Sequence, residues 1–462
     1  PHFMEYLRQQ LEAMASKYNF NLYMDGLNIY TSLDYKMQKF ANEAAAEHLK
    51  EYQVLFNKNW RWDKNQPLLS ALLDKAIKNT AQYKGAMNNE ERAKIYNNLK
   101  YDPKFVDSVK TAGFVVIDPT NGEIRAMVGG QNQDYGRGLN HVTSIKRQPG
   151  SAFKPIAYTV AIDNGYSPAF TLLNQKFNYY GWSPDNANNE YSGYMTLRKA
   201  LAYSVNVIAG RLTTGSIAPP EQVIKFAKRM GINSTLNPYP SIALGTSEVS
   251  PLELTSAFGV FANNGLYFNP ISILRIEDKN GILIADFLPE YREALSPQTA
   301  SVMADMLQDV VNYGTGAGVR AYFHRPAAGK TGTTQDFADA WFVGFTPQLV
   351  AGVWVGFDDH RVKFTSWYGQ GAKAALPIWA KFMAKTYKEL QLPLKYFDLA
   401  SGVEVANFCV STMELGDTRV AGPNCPDVLS DLVISKYMPQ ECELHKHGVQ
   451  IKPEDKKGDI GW

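Results

Sequence analysis

Hydrophobic positions repeat with helical spacing over the first part of this chain and with strand-like spacing after about residue 110. Residues 1–50 predict a helix, a short extended piece at residues 27–30 and a second, alanine-rich helix. Residues 51–110 are polar, with many lysines and asparagines, and we interpret them as mostly helical insertions. Apolar residues recur at helical spacing in the first helix, at Phe3, Tyr6, Leu7, Leu11 and Met14.

Two predicted β-hairpins lie far apart in the chain. The first covers residues 114–128, with a proline and an Asn-Gly pair at its turn. The second covers residues 339–357, with a Thr-Pro turn, and residues 330–332 form a further strand before it. These strands bracket a long, mostly helical stretch. We therefore predict an α+β fold with a five-stranded antiparallel sheet flanked by helices, not a doubly wound sheet.

Composition permits a large folded protein and excludes several classes. The chain has 462 residues, of which 45% are hydrophobic, so global disorder is not expected. With 47 basic and 45 acidic residues, the formal net charge of +2 gives no reason to expect a nucleic-acid partner. No apolar run reaches the roughly 18 residues of a membrane span. The chain lacks a signal peptide and begins with Pro1, so we expect a fragment of a longer protein.

The three cysteines, Cys409, Cys425 and Cys442, all lie in the C-terminal tail. An oxidising compartment could pair two of them and leave one over, or all three could be free. Cys442 is followed by His445 and His447, which suggests zinc, but the ligand spacing matches no common zinc pattern. We therefore expect no metal, and the state of the cysteines stays open.

A serine-x-x-lysine pair is the first candidate for chemistry. Gly150 lets the chain turn into a predicted helix near Ser151, and positions i and i+3 share a helix face, so the Lys154 amine could fold back on the hydroxyl. Serine needs such a base because its hydroxyl is not ionised at neutral pH. Lysine can serve only if burial or a second cation, here Lys330, lowers its pKa. Pro155 fits the first turns of a helix, where a missing backbone donor costs little.

A serine-x-asparagine pair, Ser204 and Asn206, follows at a predicted junction between helices 197–203 and 205–212. A short hydroxyl at such a junction could point into a cleft and pass a proton to a departing amine. The asparagine amide could hold Lys154 or the substrate backbone.

A lysine-threonine-glycine strand begins at Lys330. Alternation places Thr331 and Thr333 on one face, suited to a substrate carboxylate, and Lys330 and Gly332 on the other. Gly332 lets neighbouring backbone approach closely. The backbone amides of Ser151 and Thr333 form the predicted oxyanion hole, where each donor contributes roughly 2.7–4 kcal/mol.

Each motif also has an ordinary structural interpretation. The first could be a solvated Ser–Lys pair, the second an N-cap serine, and the third a strand turn with a surface lysine. All three alternatives would have to hold at once, and the motifs occur in the order that the chemistry needs. Together they favour a catalytic site.

The three motifs and the segments between them resemble the transpeptidase region of class A, bifunctional penicillin-binding proteins. The resemblance covers residues 1 to about 385 and is densest at residues 147–155. The opening residues and residues 29–34 resemble the linker that follows the glycosyltransferase domain of such proteins. Other similar segments are residues 117–124, 127–130, 243–245, 249–253, 314–316, 339–344 and 354–356.

The resemblance implies a serine D,D-transpeptidase with the penicillin-binding protein and serine β-lactamase-like fold. Ser151 would attack the penultimate D-Ala carbonyl of a stem peptide ending in D-Ala-D-Ala, and Lys154 would take its proton. Ser204, backed by Lys330, would protonate the leaving D-Ala, and an amine of a neighbouring stem peptide would then form the cross-link. β-Lactams would acylate the same serine and remain bound.

The resemblance also assigns binding roles and an organisation. Asn206 would hold the acyl chain, and Thr331 and Thr333 the terminal carboxylate, without a metal or organic cofactor. Residues 1–110 would be a linker region with a helical insertion, residues 111–390 the transpeptidase domain, and residues 391–462 an extension of unknown role.

The implied location is the bacterial inner membrane, with this chain on its periplasmic or outer face. A membrane anchor and a glycosyltransferase domain would precede the chain, and cell-wall-synthesis proteins could be partners.

Three rival functions share much of this pattern. A D,D-carboxypeptidase or a β-lactamase would use water as acceptor, although a class A β-lactamase is much shorter and needs a carboxylate that we cannot place here. A non-catalytic β-lactam sensor or scaffold would keep the fold without turnover. Steady hydrolysis of a chromogenic cephalosporin would favour the β-lactamase, and a single stoichiometric burst the penicillin-binding protein.

Overall fold

The computed structural model describes residues 2–100, 110–130 and 139–446. From the sequence we expect a frayed end at residues 452–462. That segment and His447 lie outside the described part of the chain. The α-helices of the described residues are α1 (His2–Tyr18), α2 (Tyr35–Trp60), α3 (Gln66–Asn79), α4 (Ala81–Gly85), α5 (Asn89–Lys100), α6 (Lys154–Asp163), α7 (Leu197–Ala202), α8 (Asn206–Thr214), α9 (Pro220–Arg229), α10 (Pro251–Ala262), α11 (Pro297–Asn312), α12 (Gly371–Ala374), α13 (Leu376–Glu389) and α14 (Val410–Met413).

The strands lie mostly in antiparallel pairs or in one larger sheet. They are β1 (Asn28–Thr31), β2 (Lys110–Ile117), β3 (Ile124–Val128), β4 (Thr171–Leu173), β5 (Tyr194–Thr196), β6 (Leu266–Phe268), β7 (Ile273–Glu277), β8 (Leu283–Asp286), β9 (Tyr291–Glu293), β10 (Ala328–Thr333), β11 (Asp339–Phe345), β12 (Val350–Phe357), β13 (Val403–Cys409) and β14 (Val428–Ile434).

The predicted opening of the chain, a helix, a short strand and a second helix, is confirmed. The second helix begins after Asp34, whose carboxylate accepts a hydrogen bond from Met37 N at 2.9 Å and so caps the helix. It continues to Trp60, beyond the alanine-rich run that predicted it. The described part of the polar stretch, up to residue 100, is helical as expected.

The predicted α+β fold with a five-stranded antiparallel sheet is confirmed, and its strand order is β10-β11-β12-β2-β3. The two distant hairpins join where β12 pairs with β2 over the register Val350↔Ile117 to Phe357↔Lys110. Since β10 lies at one end of this order, it is an edge strand with one side open for other contacts.

Both faces of the sheet are covered, which explains why β11 and β12 are buried along their whole length and, apart from Asp339, carry no charged residue. Alternation along β11 sends Trp341 and Val343 into one apolar core and Ala340 and Phe342 into another. Helices α6, α10 and α11 contribute to the first core, and α2 and α13 to the second. The first core lies on the side that carries the candidate catalytic motifs.

Both ends of the described chain pack against this body. Phe3 belongs to the first core, and β1 pairs with β7 in a smaller sheet. At the other end β13 and β14 form a hairpin whose residues Leu432 and Ile434 also enter the first core. Among the described residues, no helix is both long enough and apolar enough to cross a bilayer.

Candidate active site

Ser151 lies on a tight 3₁₀ turn, Gly150–Phe153, that leads directly into α6. A 3₁₀ helix has three residues per turn, so Ser151 and Lys154 lie above one another more closely than on the α-helix that we expected. Gly150 makes the turn possible because its φ is +55° and a Cβ there would lie 2.4 Å from the Thr333 carbonyl oxygen. Pro155 occupies the first turn of α6, as predicted.

Lys154 is fully buried, and its amine points at the second motif. The Nζ atom donates to the Ser204 carbonyl at 2.5 Å, to Ser204 Oγ at 3.1 Å and to Asn206 Oδ1 at 2.7 Å. Among the described residues, no hydrogen bond joins this amine to Ser151 Oγ. The amine therefore lies one turn from Ser151 and is bonded to the second motif rather than to the Ser151 hydroxyl.

Ser204 lies between α7 and α8, as the sequence predicts, in a left-handed backbone conformation with φ +59°. This region costs a non-glycine residue roughly 1–2 kcal/mol, and such strain concentrates at functional sites. The N-cap alternative does not apply, because Val205 is the N-cap residue of α8 and makes no side-chain cap. The strained backbone instead aims the hydroxyl at two buried amines.

Lys330, also fully buried, is the second of those amines. Its Nζ atom donates to Ser204 Oγ at 2.9 Å and to the Thr331 carbonyl at 3.2 Å. Ser204 Oγ is thus within hydrogen-bond distance of Lys154 and of Lys330. A proton can pass between the two amines through this single hydroxyl.

Burial changes the acidity of both lysines. Desolvation, followed by the nearby Lys330 charge, lowers the pKa of Lys154 well below its usual range. Desolvation alone lowers the pKa of Lys330 to about 7. A neutral, proton-accepting amine is therefore accessible at physiological pH, as the chemistry of the first motif requires.

The third motif lies on the edge strand β10 with the predicted alternation. Lys330 and Gly332 face the turn that carries Ser151, and a Cβ at Gly332 would lie 2.3 Å from the Pro149 carbonyl oxygen. On the other face, Thr331 Oγ1 lies 2.8 Å from Thr315 Oγ1. The backbone amide of Gly371 donates to Thr333 Oγ1 at 3.1 Å.

The backbone amides of the expected oxyanion hole are oriented by their elements. Thr334 N donates to the Asp339 carbonyl at 3.1 Å, towards β11. Since successive amides of a strand point in opposite directions, the Thr333 amide points away from β11. The Ser151 amide lies in the first turn of the 3₁₀ helix, where donors have no partner within the helix.

The three motifs thus come into contact with one another, and the structure adds residues that the sequence did not single out. Asn186 Oδ1 accepts hydrogen bonds from the backbone amides of Asn206 and Val207, at 3.1 and 3.0 Å, and so fixes the start of α8. No local pattern marks Asn186. Thr315 lies between two glycines in residues 314–316, a segment that already resembles the family. That resemblance was the sequence feature that could have pointed to Thr315.

Buried polar contacts hold the segment before Ser151 against the sheet. Trp341 Nε1 donates to the Gln148 carbonyl at 2.9 Å. Arg147 donates to the carbonyls of Phe357 and Asp358 at 2.7 and 3.0 Å. These contacts join the residues before Ser151 to β11 and to the end of β12.

The family model described as "Penicillin binding protein transpeptidase domain" matches residues 112–383. The chain belongs to the penicillin-binding protein transpeptidase family. Penicillin-binding protein 1A of Aquifex aeolicus is 34% identical over 91% of this chain and 62% of its own length. Penicillin-binding protein 1A of Neisseria lactamica is 36% identical over 63% of this chain and 38% of its own length. The predicted resemblance to the transpeptidase region of class A proteins is confirmed.

Solved structures agree on the fold. Penicillin-binding protein 1A from Haemophilus influenzae superposes with a TM-score of 0.75 at 20% identity, covering 96% of this chain and 77% of that one. PonA1 from Mycobacterium tuberculosis in complex with penicillin V gives 0.64 at 23% identity, covering 85% of this chain and 94% of that one. The chain itself spans less than two thirds of the two curated relatives named above.

Proposed function

We propose that this chain is a serine D,D-transpeptidase that cross-links peptidoglycan stem peptides and is acylated by β-lactams. The observation that carries the proposal is the position of Ser204 Oγ within hydrogen-bond distance of two buried amines, beside the turn of Ser151. Family membership supports the same reaction. The complex of PonA1 with penicillin V supports β-lactam binding within this fold.

In acylation, Ser151 Oγ forms a bond to the penultimate D-Ala carbonyl carbon while Lys154 Nζ takes the hydroxyl proton. The oxyanion is stabilised by the Ser151 and Thr333 amides. The C–N bond to the terminal D-Ala then breaks, and its nitrogen receives a proton from Ser204 Oγ, which Lys330 and Lys154 resupply.

In transfer, the amine of an acceptor stem peptide attacks the ester carbonyl. The new C–N bond forms, the C–O bond to Ser151 breaks, and the proton lost by the amine returns to the serine oxygen. Asn206 would bind the acyl chain, and Thr331 and Thr333, with Gly332 leaving room between strand and turn, would bind the terminal carboxylate of the donor.

The proposed organisation follows the class A pattern. Residues 1–110 would link this part to a glycosyltransferase domain with a membrane anchor, residues 111–390 would form the catalytic domain, and residues 391–462 an extension. The catalytic cleft would lie on the outer face of the bacterial inner membrane, where stem peptides and cell-wall-synthesis proteins are available.

The test is intact mass after incubation with penicillin, followed by peptide mapping of the modified residue. Wild type and a control, Ser430→Ala at an exposed position of β14, should each gain one penicilloyl mass. Ser151→Ala should gain none, and labelling that survives in this variant would exclude Ser151 as the nucleophile.

The acceptor is decided separately by mixing donor and acceptor stem peptides with the wild-type chain. Cross-linked dimer should form together with free D-Ala. Release of D-Ala without dimer would indicate a carboxypeptidase, rapid continuous hydrolysis of a chromogenic cephalosporin a β-lactamase, and acylation without either product a sensor.

A further inference from the structure

Four potential metal ligands converge in the C-terminal extension, although three separate segments supply them. Cys409 ends β13, Cys425 lies in the loop before β14, and Cys442 and His445 follow β14. One ligand atom of each residue lies within 4.8 Å of every other. Within residues 2–100, 110–130 and 139–446, no other group of three or more His, Cys, Asp or Glu side chains is arranged to hold an ion.

The distances inside the cluster match a tetrahedral zinc site. His445 Nδ1 lies 3.4 Å from Cys409 Sγ and 3.4 Å from Cys442 Sγ. With Zn–S bonds of about 2.3 Å and Zn–N bonds of about 2.0–2.1 Å, the edges of the tetrahedron are roughly 3.5 Å between S and N. The two measured S–N distances therefore have the length of tetrahedral edges, and all four ligand atoms lie close enough together to share one ion.

The thiols do not form a disulfide, since all three cysteines are free in the structure. Cys409, Cys442 and His445 are buried, and Cys425 is half-buried. A disulfide between any two of the cysteines would leave the third thiol and the His445 imidazole beside it. A three-sulfur, one-nitrogen donor set is instead a common structural zinc set, and it is complete without water.

The backbone holds the ligands in place independently of any ion. Cys409 N donates to the Arg419 carbonyl at 2.9 Å, and Cys442 N donates to the Val420 carbonyl at 2.8 Å. Two adjacent carbonyls thus fix two ligands that are distant in sequence. A further ligand, His445, lies one turn after Cys442.

The extension has a physical need for such a link. Its own apolar core is small, consisting of Ala406, Phe408, Met413 and Val433 packed with Ala169 of the main body. Modules with so small a core commonly need disulfides or a structural metal to be stable. A closed four-ligand site at the end of the β13–β14 hairpin would supply that stability.

We propose that Cys409, Cys425, Cys442 and His445 bind one structural Zn²⁺ ion that fastens the C-terminal extension. Binding replaces the three thiol protons, so Zn²⁺ enters and three protons leave, with no change of oxidation state. The sequence pattern predicted no metal here because 15 residues separate Cys409 from Cys425 and 16 separate Cys425 from Cys442. Only the Cys442-x-x-His445 pair has a familiar spacing.

The experiment measures metal per chain by elemental analysis of the untagged full chain, purified without added metal and then dialysed against limiting Zn²⁺. We expect one zinc per wild-type chain. Cys425→Ser and His445→Ala should each lower this by at least fivefold at the same free Zn²⁺. His324→Ala, at an exposed histidine outside the cluster, should keep one zinc.

Substitution of the metal by Co²⁺ gives a readout that does not depend on the variants folding. The wild-type chain should show intense tetrahedral d–d bands and a sulfur-to-cobalt charge-transfer band that Zn²⁺ abolishes. Three outcomes would overturn the proposal: absence of metal and of these bands, iron in place of zinc, or a thiol count of one in the unfolded, unreduced chain, which would demonstrate a disulfide.

Discussion

Removal of the buried Lys330 charge should move the pH dependence of acylation, and Lys330→Met tests this with little change in side-chain volume. Both amine nitrogens lie within hydrogen-bond distance of Ser204 Oγ, at 3.1 Å for Lys154 and 2.9 Å for Lys330. Their separation therefore cannot exceed about 6 Å. The pKa of Lys330 is lowered to about 7, so Lys330 is charged over the acidic half of the profile, where its repulsion acts on Lys154.

The magnitude follows from this limit. Two like charges about 6 Å apart interact by about 2.8 kcal/mol at an effective dielectric constant of about 20. That energy corresponds to about two pKa units. Since burial is the larger cause of the lowered Lys154 pKa and remains in the variant, the pKa of Lys154 should rise without returning to that of an exposed lysine.

The direction of the pH shift follows from the proposed role of Lys154 as the base. Lys154 accepts a proton only when neutral, so acylation increases as pH rises through its pKa. The acidic limb of the penicillin acylation rate should therefore move to higher pH by about two units, in addition to a fall in the maximum rate caused by loss of the Ser204 contact.

Stopped-flow measurement of acylation between pH 5 and 10 gives the profile, and Lys395→Met, at an exposed lysine, is the control. A lower maximum with an unmoved acidic limb would refute the electrostatic argument. Lys330 would then serve only to position Ser204.

Three further predictions concern stability. Gly150→Ala forces a Cβ to within 2.4 Å of the Thr333 oxygen at φ +55°, and should cost at least 1–3 kcal/mol of unfolding free energy and most acylation, whereas Gly193→Ala, with open space around its Cβ, should change little. Arg198→Met removes a cation that contacts three carboxylates at 2.5–2.7 Å and should cost about 3 kcal/mol in urea unfolding; a loss below about 1 kcal/mol would contradict this. Tyr158→Phe deletes a buried hydroxyl that has no partner among the described residues and should raise the melting temperature or leave it unchanged; a fall of several degrees would contradict this.

The sheet and its flanking helices could be predicted because they follow from local periodicity and turn chemistry. Strands β11 and β12 have the apolar runs expected of strands buried on both faces. The 3₁₀ turn at Ser151 was expected as ordinary helix, since sequence spacing does not distinguish i+3 on the two helix types. The 3₁₀ turn depends on Gly150, which packs against Thr333 of β10.

The sequence could predict the candidate site only where its chemistry depends on which residue types occur and in which order along the chain. Lys154 donates its hydrogen bond to Ser204 rather than to Ser151. This choice depends on how α7 and α8 pack, and the spacing of the motifs does not encode it. The same holds for Asn186, which acts across 20 residues on the start of α8. The cysteine cluster was missed for this reason too, because strand pairing, not spacing, brings its members together.

The family match covers residues 112–383, but the apolar core extends beyond both of these limits. Phe3 and Ile434 share one apolar core with α6, α10 and α11, and β1 completes the small sheet around β7. A protein trimmed to the matched span would expose that interior at both ends and leave an edge of β7 without its neighbour. For crystallography or inhibitor screening, the boundaries should therefore include every segment that packs into this core, with α1, β1 and the β13–β14 pair retained.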